Sequence, residues 1–351
     1  YTLSLPSSSD LILIFLSSQL FAQDWRQFNI DLNTPFFYDY NVLHSKIFIL
    51  GESLTILENN RYTEYEFDSL SNGNIKKFIK SKKSHCIQFK RIFVSGKLVF
   101  LTDIYSNYFT VINGQNVKTF KFDYYEKDLL VNYFSEDGIG NLYFLTRQKV
   151  KNNYFVLYKI SNSGISEVES NLPILKNNSD IIGFFTNVNS MFYIVKEKEQ
   201  GIISYNLEIY SKSSEVNSFN IYEGKYDVNN KFYKDRKKIY IMNSEGELFI
   251  LKNNNLENKI SSSFTTGFSC FSYAVRKNYI YWANQDEIYI SKIDNSELVI
   301  LDKLKKPVIN TFNGKFIWNS GLLYISSAKN NDPNLGCLNF PSFLTIFKKI
   351  K

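Results

Sequence analysis

Three aspartates hold the same place in three successive stretches of the chain, and their spacing suggests a shared chemical role. Asp128, Asp180 and Asp227 each come just before the predicted inner strand of their stretch, and His85 holds that place in the preceding stretch. If these runs lie side by side, the carboxylates converge and could bind a divalent cation such as Ca²⁺, or attract a cationic ligand. The alternative is that each aspartate caps the turn before its strand.

A second group of polar residues falls in or beside predicted loops. Arg147 and Lys149 add positive charge after an apolar strand, and Asp332 lies within residues 328–337, which have no strand pattern. Long loops on a rigid scaffold often carry binding function. We therefore interpret the 328–337 segment as a recognition loop, and the alternative is a solvated insertion.

The composition argues against several kinds of site. The chain has only 2 histidines, which disfavours Ser-His-Asp catalysis and His-rich metal centres, and its 3 cysteines form no CxxC pair. Asp103 and Asp332 are not paired at any separation that would indicate a glycosidase. We predict no catalytic residue and no required cofactor, with Ca²⁺ at the aspartates as the one open cofactor hypothesis.

The charge pattern bears on partners. The net charge is +7, but the lysines and arginines are scattered along the chain. Nucleic-acid binders concentrate such residues in a patch or stripe. We therefore predict no nucleic-acid partner and a lysine-rich, solvated surface.

The N-terminal segment resembles a secretion signal. Residues 11–16 read LILIFL and are followed by small and polar residues up to Ala22 and Gln23. This ending is similar to signal peptides of Bacteroidetes, although residues 1–10 contain no Lys or Arg. The apolar core is too short for a transmembrane span. We predict a signal peptide over residues 1–23 and a secreted or periplasmic protein; the alternative is that the apolar core is a buried strand.

The remaining chain is dominated by alternation of apolar and polar residues, which is typical of half-buried strands. An apolar tetrad recurs seven times at intervals of about 46 residues, which indicates a repeat architecture. Its copies are at residues 47–50, 98–101, 142–145, 192–195, 239–242, 280–283 and 323–326.

Each copy has the same internal order. An apolar strand precedes the tetrad across a turn that often contains glycine, and a third strand and a more polar fourth strand follow. Four antiparallel strands in each repeat of this length are typical of a β-propeller blade. We predict an all-β, seven-bladed β-propeller in a single domain over residues 24–351. The last copy lacks its fourth strand, so residues 25–30 are predicted to supply it by pairing with residues 342–348.

One copy carries a more specific resemblance. Residues 137–146, DGIGNLYFLT, resemble the D-x-x-G-N-L-W/Y-x-x-T/D repeat of secreted bacterial propellers, such as the NHL-like and two-component-regulator-type repeats of Bacteroidetes. The resemblance implies the architecture and no activity. We expect a non-enzymatic binding or scaffold protein that presents loops of one propeller face to a protein or glycan partner at the cell envelope. The alternative is a polysaccharide hydrolase or lyase that uses the aspartates at the mouth of the channel.

Overall fold

The computed structural model describes most of the chain and shows only β-structure. The predicted all-β class is confirmed for these residues, since none of them is in a helix. The described residues are 19–21, 25–31, 39–43, 46–50, 53–58, 61–66, 89–103, 108–114, 116–122, 132–148, 154–168, 172–211, 216–228, 230–235, 237–261, 273–283, 287–295, 297–305, 311–319, 322–329 and 343–349.

The chain divides into two compact units. One unit comprises residues 1–38, 42–46 and 228–351, and the other comprises residues 39–41 and 47–227.

The described strands form seven sheets. Two strands begin the chain, β1 (Gln19–Phe21) and β2 (Trp25–Asp31). Six sheets of four strands follow, and within each the strands are hydrogen-bonded in chain order. The first three are β3 (Asp39–Leu43), β4 (Lys46–Leu50), β5 (Ser53–Glu58) and β6 (Arg61–Glu66); β7 (Phe89–Ser95), β8 (Leu98–Asp103), β9 (Tyr108–Asn113) and β10 (Asn116–Lys121); and β11 (Asn132–Glu136), β12 (Leu142–Gln148), β13 (Tyr154–Ser161) and β14 (Gly164–Glu167).

The next three sheets have the same order. They are β15 (Ser179–Thr186), β16 (Ser190–Glu199), β17 (Ile202–Ser211) and β18 (Val216–Gly224); β19 (Asn230–Asp235), β20 (Lys238–Asn243), β21 (Glu247–Lys252) and β22 (Asn255–Ser261); and β23 (Tyr273–Arg276), β24 (Tyr279–Ala283), β25 (Glu287–Asp294) and β26 (Glu297–Lys305). The chain ends with β27 (Thr311–Asn319), β28 (Leu322–Lys329) and β29 (Phe343–Lys349).

The last sheet combines the two ends of the chain. Its order is β1-β2-β29-β28-β27, and β2 pairs antiparallel with β29 along its whole length. This confirms the predicted closure of the last blade by the N-terminal strand. The fifth strand, β1, pairs with residues 25–27 and comes from the predicted signal peptide. Removal of residues 1–23 stays a prediction, as does the single domain.

The recurring tetrad is the second strand of every sheet, and packing on both faces explains its composition. Phe144 of β12 packs with Phe100 and Phe109 of the preceding sheet. Leu145, the next residue, packs with Ile181 and Tyr193 of the following sheet. Because successive residues of a strand point to opposite faces, a strand buried on both sides must be apolar throughout.

The DGIGN motif that carries the family resemblance is the turn between β11 and β12, and it ties two sheets together. The buried Asp137 carboxylate accepts hydrogen bonds from the Ser95 hydroxyl at 3.0 Å and from the amides of Ile139 and Asn141. The Ser95 hydroxyl in turn accepts from the amide of Gly140 at 3.0 Å. The motif is therefore a structural lock between neighbouring sheets, since its carboxylate is occupied by protein donors.

Candidate functional site

Two of the predicted ligand residues, Arg147 and Asp180, form an ion pair with each other. Arg147 lies near the end of β12 and Asp180 near the start of β15 in the next sheet, and Arg147 Nη1 donates to Asp180 Oδ2 at 3.1 Å. The guanidinium also lies over the Phe155 ring, with 5.8 Å from Cζ to the ring centroid. The predicted cationic and anionic ligand groups therefore neutralise each other.

The contact is a single hydrogen bond rather than a bidentate pair. Arg147 Nε and Asp180 Oδ1 are buried and have no hydrogen-bond partner within the described part of the chain. Nearby, burial and then the Asp180 carboxylate raise the pKa of Tyr133, so its hydroxyl stays protonated and donates to the Ile181 carbonyl at 3.4 Å. This end of β15 is thus a polar seam between two sheets.

Asp227 is held by a second cation. Lys196 of β16 forms an ion pair with its carboxylate, and the buried Tyr205 hydroxyl donates to Asp227 Oδ1 at 2.8 Å. The hydrogen bond from Lys196, followed by the one from Tyr205, lowers the pKa of Asp227 below its ordinary value. Asp227 is therefore ionised at physiological pH and held by two protein donors.

The strand register links the two pairs. Lys196 stands directly opposite Asp180 in the β15–β16 ladder, so Arg147, Asp180, Lys196 and Asp227 form an alternating series of charges. The structure thus brings together Arg147, Asp180 and Asp227 from the predicted set. It places Asp180 as the second residue of β15, whereas the sequence predicts it just before the strand. Lys196 and Tyr205 were not predicted as part of the site, because their positions within strands give no local signal in the sequence.

The other predicted site residues are His85, Asp128, Lys149 and Asp332, and all four lie outside the described residues. The predicted 328–337 loop needs one correction, because β28 continues to Lys329 and includes Ala328. Within the described ranges, no three His, Cys, Asp or Glu side chains form a group that could hold a metal ion. Binding of Ca²⁺ at the aspartates stays a hypothesis that the described residues do not test.

Exposed apolar side chains lie at the same end of the β15–β18 sheet as the charge series. We call Ile174, Ile202 and Tyr226 the apolar end surface, and their exposed fractions are 95%, 46% and 78%. β15 and β17 begin at this end, and β16 and β18 finish there, as the ladders show. Tyr226 follows β18, and Ile174 precedes β15.

Local chain geometry positions this surface. Gln200 and Gly201 both have positive φ, 49° and 82°, which closes the β16–β17 hairpin as a two-residue turn matched to the twist of the strands. Ile202 follows this turn directly. The Asn178 side chain donates to the Lys198 carbonyl at 2.9 Å and so ties the residue before β15, which follows Ile174 in the chain, to the hairpin.

Comparisons with known proteins identify the fold. No family model and no curated protein matches the sequence. Among solved structures, the chain is similar to the β-propeller domain of Cps50 (Swd1) from Myceliophteria thermophila, at 11% identity and a TM-score of 0.56, covering 91% of this chain and 98% of that one. A chain of a mitotic checkpoint complex matches at 8% identity and a TM-score of 0.53, with 100% and 98% coverage.

These similarities and the repeated four-stranded sheets define the class: the chain is a β-propeller protein. Seven blades around a closed ring stay a prediction. At this level of identity the comparisons concern the fold alone. In the described part of the chain, no helix is long and apolar enough to span a membrane.

Proposed function

We propose that this protein is a non-enzymatic binding or scaffold protein that captures a protein partner at the apolar end surface. The observation that carries the proposal is the contrast at one end of the β15–β18 sheet. Its two described candidate carboxylates are engaged by Arg147 and Lys196, whereas its large apolar side chains face solvent. Exposed apolar clusters bordered by polar residues commonly mark protein interaction sites.

The charges around this surface support an apolar partner. Lys176 pairs with Glu197 at 3.1 Å, in addition to the pairs made by Asp180 and Asp227. Because positive and negative side chains alternate here, the surface has no strong field of one sign to attract an acidic or basic ligand. We expect binding that depends on apolar contact and changes little with salt concentration.

The setting of this interaction is part of the proposal. The signal-like N-terminus favours export, so the partner would be a protein at the cell envelope, with a glycan as the alternative. The resemblance of residues 137–146 to secreted Bacteroidetes repeats points to the same compartment.

Site-specific crosslinking tests the proposal. A photoreactive phenylalanine analogue at Tyr226 should capture a defined protein from the envelope fraction of the source organism. The same analogue at Val216, which is exposed at the opposite end of β18, is the matched control. An excess of unlabelled chain should suppress the product, and an excess of the Ile202→Lys variant should not. Equal capture from both positions, or turnover of a polysaccharide by the full chain, would contradict the proposal.

A further inference from the structure

The outer strand β26 has an unusual run of exposed apolar residues. Val299, Ile300 and Leu301 are consecutive and have exposed fractions of 41%, 43% and 53%. Outer strands usually carry charged or polar side chains at such positions because an open edge can pair with another chain. In β10 the exposed positions are Asn116, Lys118 and Lys121, which follow that rule. β26 departs from it.

Within the described part of the chain, no strand pairs with the outer backbone edge of β26. The strand is hydrogen-bonded to β25 on one side and is the last strand of its sheet among the described residues. Pairing with β25 is regular from Glu297 to Ile300 and resumes at Asp302, so Leu301 is an extra residue in a β-bulge. The segment 297–300 therefore offers a regular ladder to an added strand.

Charges at the two ends of β26 give the edge a direction. Glu297 is exposed at the start of the strand. Lys303 lies toward the other end; it is 3.4 Å from Glu287 and lies over the Tyr289 ring, but its side chain stays 51% exposed and accessible to a partner. An antiparallel partner strand paired along residues 297–300 would place its carboxyl end near Glu297, and its amino end would continue past the bulge toward Lys303.

We propose that β26 accepts an extended strand from a partner protein in antiparallel register. The segment that fits has apolar residues in its centre, an acidic residue at its amino end and a basic residue at its carboxyl end. Main-chain hydrogen bonds would supply affinity, and the apolar and charged side chains would supply the register. This edge lies in another part of the chain from the apolar end surface, so the two proposals stand or fall separately.

A synthetic peptide tests the edge directly. The labelled probe is Asp-Val-Thr-Ile-Thr-Val-Lys, and its binding to the full chain is followed by fluorescence anisotropy. Ile300→Lys should weaken binding about tenfold or more, because it places a charge among the apolar contacts. Val216→Lys, on the outer strand β18, is the matched control and should leave the dissociation constant unchanged. Thermal midpoints of both variants establish that they fold.

A charge exchange tests the orientation. Glu297→Lys should weaken binding of the probe about threefold to tenfold, and a probe that ends in Glu instead of Lys should regain it. Three results would overturn the proposal: absence of binding at about 1 mM peptide, equal loss of binding in Ile300→Lys and Val216→Lys, or failure of the Glu-ending probe to bind Glu297→Lys more tightly. Self-association of the full chain that Ile300→Lys abolishes would also overturn it, since a second copy would then be the occupant.

Discussion

Arg147 Nη1 lies 3.1 Å from Asp180 Oδ2, so one predicted ligand residue is the counter-ion of another. Asp227 likewise has Lys196 as its counter-ion. A cation bound at these carboxylates would lie beside both basic side chains, whose positive charge opposes its binding. The ion pairs therefore brace one end of the β15–β18 sheet.

Calcium is the first test of this interpretation. We expect that adding Ca²⁺, and then EDTA, leaves the thermal midpoint of the full chain unchanged, because Asp180 and Asp227 already interact with cationic side chains. The Asp180→Asn/Asp227→Asn double variant is the control. A Ca²⁺-dependent rise in the midpoint that this variant loses would show a metal site and contradict the expectation.

The pKa of Asp227 measures its interactions with Lys196 and Tyr205. Lys196→Gln should raise this pKa toward its ordinary value of about 3.9, since the strongest hydrogen bond to the carboxylate is lost. Carboxyl carbon chemical shifts measured against pH by NMR give the value directly. Tyr205→Phe should raise it by less, and a pKa that stays low in Lys196→Gln would contradict the assignment.

The same contact predicts a pH dependence of stability. The pKa of Asp227 is lower in the folded than in the unfolded chain, so its contribution is present above the unfolded pKa and is lost as pH falls through the folded pKa. Lys196→Gln should therefore be less stable than the wild type at neutral pH. The difference should shrink below about pH 4, and denaturant unfolding at several pH values checks it.

Two glycines with the same backbone conformation allow the cost of backbone strain to be distinguished from the cost of a steric clash. Gly96 and Gly114 both have φ of +58°, but an added Cβ at Gly96 would lie 3.2 Å from the Ile139 carbonyl carbon, whereas at Gly114 it meets nothing within 4 Å. Gly114→Ala should cost about 1 kcal/mol of unfolding free energy from the left-handed conformation. Gly96→Ala should cost about 1–3 kcal/mol more, because neighbouring backbone must move. Equal costs by urea unfolding would show that the turn at Gly96 does not lie in close contact with the turn that contains Ile139.

Much of the fold follows from the sequence, because its signals are local. The tetrad marks the second strand of each sheet, and the missing fourth strand of the last copy pointed to pairing of β2 with β29. The extra strand β1 was assigned to a signal peptide, since three residues carry too little pattern to indicate pairing.

The site was less predictable because its contacts are distant in sequence. Arg147 and Asp180 are 33 residues apart and belong to different sheets. Even within the β15–β16 hairpin, the register shifts between Ile181 and Gly183. Counting from the turn without that bulge would place Asp180 opposite Glu197, and the bulge brings it opposite Lys196 instead. The pairing of opposite charges depends on an irregularity that alternation alone does not reveal.

The inter-sheet lock at Asp137 gives a stability prediction. Asp137→Ala should lower the unfolding free energy by about 2–3 kcal/mol, because the Ser95 hydroxyl and two turn amides lose a buried acceptor. Asp294→Ala, at an exposed aspartate, should change it by about 0.5 kcal/mol or less. Similar effects of the two substitutions in urea unfolding would show that the hydrogen bonds of Asp137 do not stabilise the contact between the two sheets.

The most direct test of the proposed function compares two sets of variants for binding to the partner captured by the Tyr226 crosslink. One set alters the apolar end surface, Ile202→Lys and Tyr226→Ser, and the other removes the predicted ligand carboxylates, Asp180→Asn and Asp227→Asn. Isothermal titration with the purified partner gives the dissociation constants. We predict that the surface variants weaken binding about tenfold or more and that the carboxylate variants bind like the wild type. Binding that is lost in the carboxylate variants and kept in the surface variants would contradict the account.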